Sequence, residues 1–355
     1  MKILCLTKYS RLGASSRLRT IQYLPYFNIL GQVNLCYLFD DDYLRGVYGG
    51  GRSTWAVIVL YLKRLAALKY VLSCDLIWVE KEIFPYFPPC FEYFLRVMGK
   101  TYVVDYDDAI FHNYDLSGSP LVRKFMGGKI DSVMRNSSCV IAGNTYLAGR
   151  AITAGASKVV IVPTVVDHTR YTPRHSLTSD NLIIGWIGSP STQKYVLYIR
   201  DALVAACQRY GASLMLIGAT PDIVSEFLGV NVEVVSWSEE TEAKLISKMD
   251  IGIMPLPDGP WEKGKCGYKL IQYMACAIPV IASPVGVNVD IVRTSKSGLL
   301  ADRLVEWEDA LKQLLSSHAQ RIAMGKAGRT AVEKKYSLQV QAPIVIGVLK
   351  SVVCK

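Results

Sequence analysis

Short apolar, β-branched runs alternate with longer stretches of helical periodicity along the whole chain. In the first half the runs predict strands over residues 2–6, 76–79, 101–104, 139–142 and 159–162, with helical patterns over 18–30, 54–72 and 120–135 between them. Residues 167–180 are polar, carry Pro173 and show no period, so they read as a linker. A second series follows, with strands predicted over 182–187, 213–217, 232–235, 251–254 and 279–282. Buried strands separated by helices form parallel βαβ units, so the pattern predicts two doubly wound α/β domains joined near residue 175. In such sheets ligands bind beyond the carboxyl ends of the strands, which makes a cleft between the halves the expected site.

Composition agrees with this architecture. A chain of 355 residues has length for two domains, and 51% hydrophobic with 20% charged residues excludes disorder and collagen. The nine cysteines are scattered without a Cys-x-x-Cys pair, which argues against a disulfide framework or a thiolate zinc site and for a reducing, cytoplasmic location. The apolar run 3–6 is too short for a signal-peptide core, so export is not expected. Residues 55–62 are too few to span a bilayer, and 270–289 are interrupted by Gln272, Pro279, Pro284 and Asn288. The net charge of +10 is concentrated in residues 1–170, where 20 Lys and Arg face 13 Asp and Glu. That bias suits phosphates or an acidic bilayer surface, the other reading being a solvated basic surface.

Three stretches carry candidate chemistry. The first strand runs into a small-residue loop opening a helix, where Gly13 with Arg11, Arg17 and Arg19 could hold a phosphate. After the strand at 101–104 stand Asp105, Asp107 and Asp108, with His112 beyond, placed to orient acceptor hydroxyls, accept a proton or bind a metal through oxygen. Glu80 and Glu82 repeat that signal more weakly, and their ordinary reading is as surface charges. In the second half a strand is followed by a loop bearing Gly264, Lys265, Cys266 and Gly267, then a helix to about Cys276 and a buried strand. Amides at that helix start, beside Lys265 and Lys269, form an anion cradle, and Gln272 would reach a ribose hydroxyl if it faces the cleft.

The run from Lys269 to Ser283 (KLIQYMACAIPVIAS) resembles the retaining, nucleotide-sugar-dependent glycosyltransferases of family 4 in group 1, which have the GT-B fold. Echoes occur at 144–147, 162–167, 185–188, 236–238, 249–255 and 297–300. The resemblance implies an N-terminal acceptor-side domain over 1–172, a nucleotide-sugar domain over 173–335 and a terminal helix over 336–355 that crosses back, with Pro343 near its start or at a kink. It implies that Lys194 neutralises the donor diphosphate, that Gly188 and Trp237 lie on the donor side, and that Ser189 replaces an arginine usual in the family. Two family glutamates, touching the donor sugar and the ribose, correspond to Gly264 and Gln272; Glu262 could reach into the vacancy, and the compact 264–267 loop resembles a branch of the family in which Lys265 would supply the missing positive charge.

The function implied is transfer of a sugar from a nucleoside-diphosphate sugar to a saccharide or lipid-linked saccharide, with retention and without metal, in polysaccharide or glycoconjugate biosynthesis. Asp107 or Asp108 would accept the proton, with Glu82 and His112 also on the acceptor side. The alternatives are a sugar-nucleotide epimerase or hydrolase, or a non-catalytic sugar-nucleotide-binding protein. No nucleic-acid partner and no cofactor are expected. The helix starting near Thr54 reads as core-packed or, alternatively, as membrane-proximal; glycines 49–51 beside it read as a mobile acceptor-side loop.

Overall fold

The computed structural model describes residues 1–48, 54–173 and 181–353, so glycines 49–51 and linker residues 174–180 lie outside the described residues. The chain divides into two compact units. The first comprises 1–164, 264–266 and 341–355, the second 165–263 and 267–340.

The N-terminal unit holds a six-stranded parallel sheet of β1 (Lys2–Tyr9), β2 (Gln32–Phe39), β3 (Leu76–Glu80), β4 (Tyr102–Tyr106), β5 (Cys139–Ala142) and β6 (Val159–Ile161), in the order β2-β1-β3-β4-β5-β6. β3, β4 and β5 are buried along their whole length, which is why they read as unbroken apolar runs. β2 was not expected. It lies at the sheet edge, and its Gln32-Val-Asn-Leu-Cys-Tyr sequence mixes polar positions into a strand buried only at its end.

The second unit holds β7 (Ile183–Ile187), β8 (Ser213–Ile217), β9 (Val232–Val235), β10 (Ile251–Met254), β11 (Val280–Ala282) and β12 (Gly298–Leu300), all parallel in the order β12-β11-β10-β7-β8-β9. β12, three half-buried residues at the other edge, was also unexpected. The order reverses beside β1 and β3 in the first sheet and beside β7 and β10 in the second, and these switch points open crevices beyond the strand ends.

Several expected helices are divided. The pattern over 120–135 is two helices, Pro120–Met126 and Lys129–Asn136, separated by Gly127 and Gly128, and 54–72 is the helix Thr54–Ala67 continued by a 3-10 turn. The start of the expected linker is ordered. Asp167 caps a 3-10 turn over His168–Arg170, and Tyr171 is buried in the core of the second unit, an apolar anchor that a polar reading of the segment overlooked. The terminal helix runs Leu338–Val353 with Pro343 inside it. Among the described residues no helix is long and apolar enough to cross a membrane, and the eight described cysteines are free.

Candidate functional site

At the switch point of the N-terminal sheet, the strand ends place an ammonium among carboxylates. Lys81, just after β3, is buried in a left-handed backbone conformation (φ 66°) that a side-chain-bearing residue adopts only under constraint. Its Nζ lies 2.8 Å from Asp107 Oδ1 and 3.7 Å from Asp108 Oδ2, beyond β4, and donates to Ser15 Oγ at 2.9 Å. Glu80 is fully buried, accepting from Lys8 N at 2.9 Å and from Ser16 Oγ at 2.6 Å. The reading of Glu80 and Glu82 as surface charges is therefore corrected. β3 is a central strand, so residues at its end lie within the unit rather than on its surface.

The two aspartates titrate in opposite directions. Burial raises Asp107, but the adjacent Lys81 charge outweighs it and holds this carboxyl below the ordinary range. Asp108 is pushed upward, first by burial and then by the like charge of Asp107. One carboxylate is thus kept ionised while its neighbour becomes the better proton acceptor.

Lys265 reaches this group from the far side of the sequence. The tripeptide 264–266 packs with the N-terminal unit, clamped by Asn144, whose Nδ2 donates to Gly264 O at 2.9 Å and Lys265 O at 3.0 Å. Cys266 Sγ donates to Asp107 O at 3.1 Å, and burial raises its pKa far above the thiol range, so it is a packed thiol and not a nucleophile. The seat is tight: a Cβ on Gly143 would sit 2.2 Å from Cys266 Sγ, and one on Gly264 would sit 2.5 Å from Ala109 Cβ and 2.6 Å from Ala109 N. Lys265 lowers the pKa of Asp108 through its charge, and its ammonium makes no hydrogen bond or ion pair among the described residues. Gly264→Glu is expected not to restore a sugar-binding carboxylate but to destabilise the fold by about 1–3 kcal/mol, seen as a lower unfolding midpoint, because the added side chain meets main chain.

The first loop serves the interior. Gly13 starts the helix Ala14–Arg19 with no room for a Cβ, which would meet Tyr9 Cβ at 2.3 Å. Arg17 is buried and donates to Arg11 O at 3.2 Å. Arg19 forms a buried bidentate pair with Asp105 (2.9 and 2.6 Å) and donates to Val162 O at 2.9 Å. Glu82 accepts from Tyr114 Oη at 2.8 Å and from Lys129 Nζ. His112 has both ring nitrogens engaged, with Asp115 Oδ1 and Tyr146 Oη, each at 2.8 Å.

In the second unit the donor-side candidates gather around the ends of β7 and β10. Gly188 leaves β7 where a Cβ would lie 2.2 Å from Trp186 Cζ2 and 2.9 Å from Lys269 Nζ, and that ammonium stands 4.4 Å from the Trp186 ring centroid. Ser189 caps a 3-10 turn over Pro190–Thr192, and Lys194 is exposed, 5.4 Å from the Tyr195 ring centroid. Glu262 accepts from Tyr195 Oη at 2.6 Å. Gly267 (φ 66°) caps the helix Tyr268–Ala275, with Ile291 Cδ1 2.4 Å from where its Cβ would be. Gln272 is turned into the unit: its Nε2 donates to Tyr171 Oη at 3.1 Å, Tyr171 Oη donates to Glu242 at 3.0 Å, and Trp237 Nε1 donates to the same carboxylate at 2.8 Å. Sequence reasoning missed Lys81, Ser15 and Glu242. A lysine flanked by two acids at a strand end was the available signal for the first; the other two depend on packing. Among the described residues no group of three or more His, Cys, Asp or Glu side chains is arranged to hold a metal ion.

Comparison with known proteins places these units in context. A family model described as glycosyl transferases group 1 matches residues 181–317. The capsular polysaccharide biosynthesis glycosyltransferase CapM of Staphylococcus aureus is 24% identical over 176 residues, which are 47% of this chain and 45% of that protein, so the match spans less than half the length of the relative. HepE from Anabaena, solved in complex with UDP-glucose, superposes with a TM-score of 0.73 at 14% identity over 99% of this chain and 100% of that one. Sucrose-phosphate synthase from Thermosynechococcus elongatus gives a TM-score of 0.72 at 16% identity over 100% and 99% of the two chains. The chain thus has the GT-B fold, and its second unit is similar to group 1 glycosyl transferases across residues 181–317.

Proposed function

We propose that this protein is a group 1 glycosyltransferase that moves a sugar from a nucleoside-diphosphate sugar to a hydroxyl of a saccharide or lipid-linked saccharide, with retention and without a metal ion. The observation that carries the reading is the tripeptide 264–266, which sets an uncommitted ammonium in the field of a carboxyl poised to take a proton. The similarity of residues 181–317 to the family, and the UDP-glucose held by HepE, support a nucleotide-sugar donor.

In the proposed reaction the bond from the anomeric carbon to the diphosphate oxygen breaks and that oxygen keeps the electron pair. The acceptor oxygen bonds to the same face of the anomeric carbon and its proton passes to Asp108. Lys265 carries positive charge for the departing diphosphate, which lowers the barrier because the charge is already in place as the bond breaks. Asp107, held ionised by Lys81, keeps Asp108 basic. Buried Gln272 supports the donor side by fixing Tyr171 rather than by offering a free amide.

The test is release of nucleoside diphosphate from a panel of nucleotide sugars, with and without acceptor saccharides, in the presence of a chelator. Acceptor-dependent release that survives chelation fits the proposal. Free sugar formed without acceptor would indicate a hydrolase, an isomerised nucleotide sugar an epimerase, and binding without turnover a non-catalytic partner. Lys265→Ala is expected to weaken nucleoside diphosphate binding about 10- to 100-fold, the value of a charge-assisted contact, measured as a dissociation constant by calorimetry.

A further inference from the structure

At the carboxyl end of β1 the chain carries a cation that no acid claims. The β1–β3 register pairs Leu6 with Val79, so two residues further on Lys8 comes beside Lys81. Lys81 is committed to Asp107, Asp108 and Ser15. The half-buried Lys8 ammonium, 5.2 Å from the Tyr9 ring centroid, has no hydrogen bond or ion pair among the described residues. The carboxylates nearby are engaged elsewhere. Glu80 Oε2 accepts from the main-chain N of Lys8 and from Ser16 Oγ, and Glu82 accepts from Tyr114 Oη and Lys129 Nζ. Burial lowers the Lys8 pKa and the Lys81 charge lowers it further, against the opposing pull of Glu82 and Glu80. A cation so placed is stabilised by an anion brought to it.

An exposed aromatic ring stands in the same place. Tyr86, in the loop after β3, lies near enough to act on the charge of Lys8. Its backbone has φ 55°, an uncommon conformation for a bulky residue, and the side chain is left largely in solvent, with the residue 62% exposed. The Tyr86 amide donates to Tyr114 Oη at 3.0 Å, and the two ring centroids lie 5.4 Å apart, so the strained loop is held in place. Strain of this kind collects at ligand clamps. A tyrosine presents an apolar face and a polar tip, which match the C–H face and the hydroxyl edge of a sugar ring. We propose that Lys8 and Tyr86 form an acceptor subsite for a saccharide bearing an acidic group, with the sugar against the Tyr86 ring and its carboxylate or phosphate on the Lys8 ammonium. The proposal rests on the glycosyl-transfer reading and adds to it that the acceptor is anionic.

The experiment is calorimetric titration of the full chain, without donor, with disaccharides of glucose, galactose and mannose, each as the neutral sugar, the uronate and the 6-phosphate. At least one acidic sugar is expected to bind about tenfold or more tightly than its neutral counterpart, and whether it is a uronate or a phosphate identifies the group. Lys8→Met and Lys8→Gln are each expected to abolish that preference with the unfolding midpoint unchanged, and Lys8→Arg to keep it. Tyr86→Ala is expected to weaken neutral and acidic sugars alike. Binding is the readout because Lys8 also lowers the pKa of Asp108, so a change in rate alone would not separate the two effects. No preference for any acidic sugar, a preference that survives both Lys8→Met and Lys8→Gln, or inorganic phosphate bound as tightly as the sugar phosphate would overturn the proposal. An acid preference without nucleoside diphosphate release from any donor would remove the transfer reading and leave the saccharide subsite; neutral acceptors used as well as acidic ones would do the reverse.

Discussion

Replacing Asp108 by asparagine is expected to lower the rate of sugar transfer by about 10²–10⁴-fold, the usual contribution of a positioned proton acceptor, while nucleoside diphosphate still binds. The pH dependence gives an independent reading. In the proposed reaction Asp108 must be ionised to act, and burial and Asp107 raise its pKa, so the rate should fall on acidification through a limb lying above the ordinary carboxylate range. Lys81 lowers the pKa of both aspartates, so Lys81→Met should move that limb to still higher pH, whereas Asp108→Asn should abolish it. A rate profile for Asp108→Asn that matches the unsubstituted protein would remove Asp108 from the mechanism.

The largest expected effect on stability is at the Arg19–Asp105 pair. Both side chains are buried, and the guanidinium meets the carboxylate through two hydrogen bonds of 2.9 and 2.6 Å. Burial opposes the arginine's charge, but Asp105 outweighs it and holds the guanidinium above its ordinary pKa. Arg19→Met would leave an unpaired buried carboxylate, and a loss of about 3–5 kcal/mol is expected in denaturant unfolding. Combining Arg19→Met with Asp105→Leu should cost less than Arg19→Met alone, since no orphaned charge remains. Equal losses would mean that packing, not charge, makes the pair necessary.

Strands buried on both faces were legible because their sequences admit few polar residues. The expected β-runs at 76–79, 139–142, 213–217 and 251–254 coincide with β3, β5, β8 and β10 to within a residue. The two strands that escaped, β2 and β12, lie at sheet edges, where half the surface stays wet and polar residues dilute the pattern. The grouping of candidate residues was legible where acids cluster beyond a strand, as at Asp107 and Asp108, and where glycine and lysine meet, as at Gly264 and Lys265. It was illegible where a residue's role depends on its direction. Gln272 sits at the expected place on its helix yet turns inward to Tyr171, a residue more than a hundred positions earlier that the sequence assigned to a linker. Lys81 was hidden by the same dependence: its reach to Asp107 follows from a left-handed backbone that no local sequence rule anticipates.

The close approach at Gly264 bears on how this protein can diverge. The obstacle to a larger residue there includes the amide nitrogen of Ala109, so trimming that alanine's methyl group would not clear it. A descendant could gain an acidic group at this point only after the turn itself took another path. The absence of an acidic group at this point is therefore written in the course of the peptide chain, and a single codon change would not supply one.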